Sequence, residues 1–129
     1  MNTEKDLDNI RCGNVDSLTE EDLSGAELSQ ADLSNVDLRE VNLENAELYS
    51  VNFTKANLSC ANLRGAFLNR SNFSEAYLSG ADLTGARILG ANLTNAHLSD
   101  ADLSRANISR ADFHNANMSD VQFDLTNVG

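Results

Sequence analysis

The chain contains no proline and no tryptophan, and only two cysteines and two histidines in 129 residues. With no proline-rich or glycine–serine tract, nothing in it reads as a linker, and its length suits one domain. Cys12 lies ahead of the patterned region and Cys60 at an outward position, so no disulfide between them is expected. The thiols and the imidazoles of His97 and His114 show no metal-ligand spacing, and there is no phosphate-binding glycine loop. No metal, no cofactor and no enzymatic activity are therefore expected. No apolar run reaches the length of a signal peptide or a membrane span, and Met1 to Ile10 is mostly polar and charged. The expectation is a soluble cytoplasmic protein. Bases are scarce as well, nine against 20 acids, for a net charge of -11. That balance disfavours nucleic acid and anionic membranes as partners and permits a basic one. The charge is uneven: residues 1–47 carry 13 acids and 3 bases, residues 48–129 carry 7 acids and 6 bases.

What the chain does have is a repeat of five residues from Glu21 to Phe123, with no insertion or deletion. Its 21 centres run from Leu23, Leu28 and Leu33 in steps of five to Met118 and Phe123, and all are apolar. Two residues before each centre stand 15 Ala, 4 Val (Val36, Val41, Val51 and Val121), Ser71 and Glu21. The remaining positions are mostly Asp, Asn, Ser, Thr, Gly, Arg or Glu.

A period of five fits neither regular element. On an α-helix, residues five apart are about 140° out of phase. On a plain strand an odd step sends successive centres to opposite faces. The chain must therefore turn once per five residues to keep every centre inward. Gly25, Asn35, Asn45, Gly65, Gly80, Gly85, Gly90, Asn95 and Asn115, each two places after a centre, accept a positive φ at little cost. Short extended pieces joined by such turns coil around a shared core and stack coil on coil as a solenoid.

The recurring A-(D/N)-L-x-x unit, as in Ala31-Asp32-Leu33, Ala56-Asn57-Leu58, Ala91-Asn92-Leu93 and Ala101-Asp102-Leu103, resembles the pentapeptide-repeat proteins. The resemblance implies an all-β fold, a right-handed quadrilateral parallel β-helix with four units per coil and about five coils, roughly 25 Å long at the usual strand spacing. A 20-residue coil would stack Leu33, Phe53, Phe73, Leu93 and Phe113 in one column, which gathers three of the four core phenylalanines.

Residues 1–20 read as an N-terminal cap and irregular first coil, and 21–129 as the β-helix. Thr3 to Ile10 has the pattern of a short capping helix, with Thr3 as N-cap and Leu7 and Ile10 on its apolar side. It is either a lid on the bottom coil or a disordered tail. Leu18 is in phase, but Asp16 stands where Ala is usual, so the repeat has not properly begun there. At the other end an open coil exposes backbone and apolar groups. It either pairs with a second molecule, as a homodimer through Phe123 and Val128, or folds its last residues over Phe123.

Outward positions should be polar, so large exceptions mark candidate contacts. Phe67 and Tyr77 stand where Asp or Asn is usual, and Tyr49 and Leu89 just after their centres. In four-sided register Tyr49, Phe67, Arg87 and Leu89 share one face, with Arg70 at its edge and Arg87 one coil above Phe67. Tyr77 and His97 lie on the opposite face. The Asp and Asn before the centres read as scaffold that holds the turns, and Ser71 as a core hydroxyl bonded to backbone. These features point to a non-catalytic scaffold that binds an unidentified protein through an outer face. Two alternatives stand beside it. The family resemblance implies that an acidic member can mimic DNA and bind or protect gyrase or topoisomerase. A purely structural, self-assembling solenoid is the other.

Overall fold

The computed structural model describes residues 3–123, with side chains from residue 7 onward. Thr3–Arg11 forms helix α1. Ile10 is buried and Leu7 packs against the core. The helix stops at Gly13, whose φ is +77°; its N–H donates to the Ile10 carbonyl at 3.0 Å and that of Asn14 to Asn9 at 2.9 Å. This left-handed cap favours glycine, which has no Cβ to clash. The helix lies under the first coil. Arg11 donates to the Glu27 carbonyl from Nε at 3.2 Å and Nη2 at 2.7 Å. Its own carbonyl accepts the Asp32 N–H at 3.4 Å. The lid thereby occupies backbone groups at the bottom edge of the stack.

Above it, single-residue parallel bridges join positions 20 apart, from Ser17–Asp37 up to Asp102–Gln122. A turn follows every bridge position, so each coil has four sides of five residues, and about five coils stack. Regular pairing begins at Ser17, one unit ahead of the boundary at residue 21 read from the side-chain pattern. Leu18 is buried, and the Asp16 carbonyl accepts the Asp37 N–H at 3.0 Å. The ladder needs backbone at that point, not a small inward side chain.

One unit shows how the repeat satisfies itself. In residues 81–85, Ala81 N–H closes the preceding turn on the Leu78 carbonyl at 3.0 Å, and Asp82 N–H donates to Ala61 in the coil below at 3.0 Å. Leu83 N–H donates to Asp102 above at 2.8 Å and Gly85 N–H to Ser104 above at 2.9 Å. The Thr84 N–H is left, and the Asp82 carboxylate accepts it at 3.0 Å. Asp or Asn at the bridge position is thus the local acceptor for the one amide that the coils cannot reach.

The last residue of every unit, from Glu20 to Asp120, has positive φ, and sixteen of these are not glycine. Glu, Gln, Lys, Arg, Ser and Cys serve as well as Gly and Asn. The left-handed conformation disfavours an L side chain by ~1–2 kcal/mol. The hydrogen bond from the same residue to the coil above, such as Arg70 N–H to Leu89 at 2.8 Å, offsets this.

Centres and small inward residues form one continuous core. Phe53 and Phe73 stack with centroids 4.7 Å apart and planes 8° apart, the separation of adjacent coils. At the top, Ile108, Phe113 and Met118 are half-buried and Phe123 is exposed. The N–H groups of Ile108, Arg110, Phe113, Asn115, Met118 and Asp120 find no partner among the described residues. Val128 lies outside the described residues.

Removing one side-chain acceptor tests this account of the unit. The Asn92 carbonyl oxygen takes the Thr94 N–H at 2.9 Å. Asn92→Ala is expected to lower the unfolding free energy by about 1 kcal/mol in urea denaturation, while Asn92→Asp stays near the native value at pH 7.

Candidate functional site

From Asp22 to Asn117 every bridge residue caps the turn that follows it, with five exceptions: Glu47, Phe67, Tyr77, Arg87 and His97. Glu47, Phe67 and Arg87 are consecutive in one ladder, and Tyr77 and His97 consecutive in the ladder ten residues away, on the opposite side. At these five places the chain has given up its scaffold hydrogen bond for a different side chain.

Two of the abandoned amides are recovered by the coil below. Ser29 Oγ accepts the Tyr49 N–H at 3.1 Å, and Asn69 Oδ1 accepts the Leu89 N–H at 3.2 Å. Ser71 supports the same side from within. Its buried hydroxyl donates to the Leu48 carbonyl at 2.7 Å and accepts the Val51 N–H at 3.2 Å. In other units those two backbone groups bond each other across the turn, as Leu28 and Ala31 do at 3.0 Å. The hydroxyl is therefore inserted into the turn that presents Tyr49.

On the surface so built, the Tyr49 and Phe67 rings lie 5.8 Å apart and inclined by 27°. Arg87 Cζ sits 5.1 Å from the Phe67 centroid, the cation–π contact expected from the register. Phe67 is half-buried, whereas Tyr49 and Leu89 are 38% and 40% exposed. Beside Leu89 is a shallow hollow of about 470 Å³, lined by Asn69, Gly85, Ala86, Arg87, Arg105 and Asn107. Arg70 and Arg110 occupy positive-φ corners at the edge of this side, and Arg64 at the neighbouring corner pairs with Asp82 at 3.2 Å. Below the aromatic pair, Glu27 and Glu47 stand one above the other. The Ser29 amide and hydroxyl hold the Glu27 carboxyl below its usual value, and the hydrogen bond and charge of Glu27 push Glu47 above its own. This side therefore grades from acid at the bottom through aromatic to arginine at the top.

On the opposite side Tyr77 and His97 stack at 4.7 Å with planes 5° apart, beside a hollow of about 590 Å³ that also touches Lys55 and Glu75. Tyr77 is thus separated from the other five residues singled out in the sequence. Asn69, Arg105, Ser29 and the Glu27–Glu47 pair were not singled out. The 20-residue register is the signal that places them, because each matters only through its neighbour in the next coil. Cys12 and Cys60 are free and exposed, and no group of three His, Cys, Asp or Glu side chains is placed to hold a metal ion among the described residues. No helix among them is long and apolar enough to cross a membrane.

A four-sided β-solenoid with a five-residue unit defines the class, and comparison with known proteins gives the family. The family profile for pentapeptide repeats matches residues 18–54, 56–88 and 89–127 in 8 copies. The chain belongs to the pentapeptide repeat family, and its fold is the right-handed quadrilateral β-helix. Among solved structures it is similar to a pentapeptide repeat protein from the Arabidopsis thaliana thylakoid lumen, with 30% identity and a TM-score of 0.69, covering 70% of this chain and 63% of that one. It is also similar to Rfr23 of the cyanobacterium Cyanothece 51142, with 30% identity and a TM-score of 0.53, over 84% of this chain and 64% of that one. The chain thus spans under two thirds of either neighbour. QnrB1, a plasmid-mediated fluoroquinolone resistance protein, aligns at 16% identity and a TM-score of 0.41, over 92% of this chain and 87% of that one. No curated protein matches the sequence.

The stacked carboxylates give a pH test. Glu47 has a folded pKa above its unfolded one, so its ionised form disfavours the folded state, and stability is gained as pH falls through the raised value. Glu47→Gln is therefore expected to raise the melting temperature at pH 7. The gain should vanish at a pH low enough to protonate the native Glu47.

Proposed function

We propose that the protein is a non-catalytic scaffold that binds a protein partner through the side carrying Tyr49, Phe67, Arg87 and Leu89, with Arg70 at its rim. The observation that carries this reading is the loss of the turn-capping acceptor at three successive levels of one ladder. A unit selected for folding alone keeps a capping oxygen there, as fifteen of the twenty units from Asp22 to Asn117 do, fourteen through Asp or Asn and one through Glu27, each on the following turn amide. At the upper two levels Phe67 and Arg87 replace it, next to Tyr49, and aromatic and arginine side chains are of the kind enriched at protein interfaces. Scattered apolar residues on a surface are ordinary. Here they are contiguous and backed by Ser29, Asn69 and Ser71, which compensate the backbone beneath them. Tyr77, on the opposite side, offers a second and smaller contact.

The two hollows are shallow, and where Lys55, Glu75, Tyr77 and His97 border the second, no hydrogen bond or ion pair among the described residues joins them into an acid–base–nucleophile relay, which supports binding over catalysis. The alternative of a DNA mimic directed at gyrase or topoisomerase calls for acid along the whole rod. Nearly all the net charge lies within residues 1–47, and the built side carries arginine, so the protein-contact reading ranks above it.

The test is affinity capture from a lysate of the source organism with the native protein and with the double variant Phe67→Ser and Arg87→Ser. A specific protein held by the native form and lost from the variant, with far-UV spectra unchanged, is the expected result. Equal capture by both moves the contact elsewhere on the stack.

The exposed Phe123 and the N–H groups of the top coil that find no partner among the described residues favour a further reading, end-to-end self-association. It predicts dimers that disappear with Phe123→Ser in sedimentation experiments, and a native protein that stays monomeric at high concentration overturns it.

A further inference from the structure

The order of side chains up the built side has a symmetry of its own. Along the bridge ladder it reads Glu47, Phe67, Arg87, one coil apart, and along the outward turn positions Tyr49, Asn69, Leu89. Each triplet is centred on the same coil. A twofold axis lying in the plane of this face and perpendicular to the stack reverses the direction of a second copy and leaves each ladder facing itself. Phe67 then meets Phe67 and Asn69 meets Asn69. Glu47 of each copy meets Arg87 of the other, and Tyr49 of each meets Leu89 of the other. The parallel arrangement would instead put Glu47 level with Glu47 and Arg87 level with Arg87.

We propose that this face pairs with a second copy of the same chain, antiparallel and centred on Phe67, so that Glu47–Arg87 ion pairs flank an apolar stripe of Tyr49, Phe67 and Leu89. The inference rests on the reading of this face as a protein contact and names the partner as the chain itself. Glu47 has a like charge beneath it in Glu27, and neither it nor Arg87 belongs to an ion pair among the described residues. Pairing brings each an opposite charge. Arg70 meets its own counterpart at the rim, where both guanidiniums stay in water and repel weakly.

The face is about 25 Å long and about 10 Å across, given the strand spacing and three extended residues per side. That is well below the ~800 Å² per partner of a standard stable interface, so the pair belongs to the weak class. It should be sought at protein concentrations up to on the order of 1 mM. In an interface of this kind charge sets register and orientation more than affinity.

The experiment is sedimentation equilibrium at low salt on the native protein, on Glu47→Arg, on Arg87→Glu and on an equimolar mixture of the two variants. The first variant presents two arginines and the second two glutamates, so neither can pair with itself, but each pairs with the other. The expected result is weak association of the native chain, its loss in each single variant, and its return as a one-to-one pair in the mixture. A folding defect cannot mimic the return. A native chain monomeric throughout, variants that associate as well as the native form, or a mixture no better than its components overturns the proposal. End-to-end pairing through Phe123 would give the second of these. Capture of a different protein through Phe67 by a monomeric native chain would sink self-pairing and leave the outer-face reading standing. Failure of both experiments removes that reading too.

Discussion

Each five-residue unit contains one amide that the backbone of neither the turn nor the coils above and below reaches. It belongs to the residue just after the centre, and it stands at a corner where it would otherwise depend on water. Asp or Asn two residues earlier accepts it, as Asp82 does for Thr84 and Asn72 for Ser74. The other four amides of a unit are bound by backbone, and their geometry depends on stacking. The fifth is the one backbone amide that relies on the unit's own side chain. A solenoid has no layered globular core to absorb local irregularity, so each unit must be sound in itself and fit its neighbours.

That division of labour explains which positions can vary. The centre must be large and apolar because the column has no other filling, and after Glu21 in the bottom coil the small inward position holds only Ala, Val or the one serine. The last position of a unit tolerates Glu, Lys, Arg and Cys in a left-handed conformation because stacking supplies a hydrogen bond to the very residue that is strained. The bridge position also varies, and on the built side other side chains take two of the three orphaned amides. Ser29 and Asn69 do so for Tyr49 and Leu89. Variation on the built side is thus coupled between coils.

The regular part of the fold was open to reading because it repeats. Twenty-one apolar centres at a spacing foreign to helix and strand leave a turning solenoid as the consistent solution, and the register of 20 is enough to place Arg87 over Phe67. Three things were hidden. Positive φ at Glu20, Lys55 or Arg70 cannot be seen from residue type, since the compensation lies in another coil. The start of the ladder at Ser17 depends on backbone alone, so the polar Asp16 concealed it. Ser71 could be read as a bonded core hydroxyl, but its insertion between Leu48 and Val51 follows from the coil beneath it, where the turn it enters carries Tyr49. In each case the missing information is an interaction between residues about 20 apart.

The same stacking turns the order of residues in a column into a spatial pattern. On a globular surface a patch is gathered from distant segments, and its charge order bears no simple relation to the chain. Here a step of 20 in sequence is a step of one coil, about 4.8 Å, along a nearly straight face. Glu27, Glu47, Phe67, Arg87 and Asn107 therefore present acid, acid, aromatic, base and amide in that order to whatever lies against them. A partner that follows the same spacing can match the order level by level, and a chain of this family carries that spacing by construction. Recognition on such a face depends on the direction in which a ladder is read, and a centre flanked by opposite charges is complementary to its own reverse.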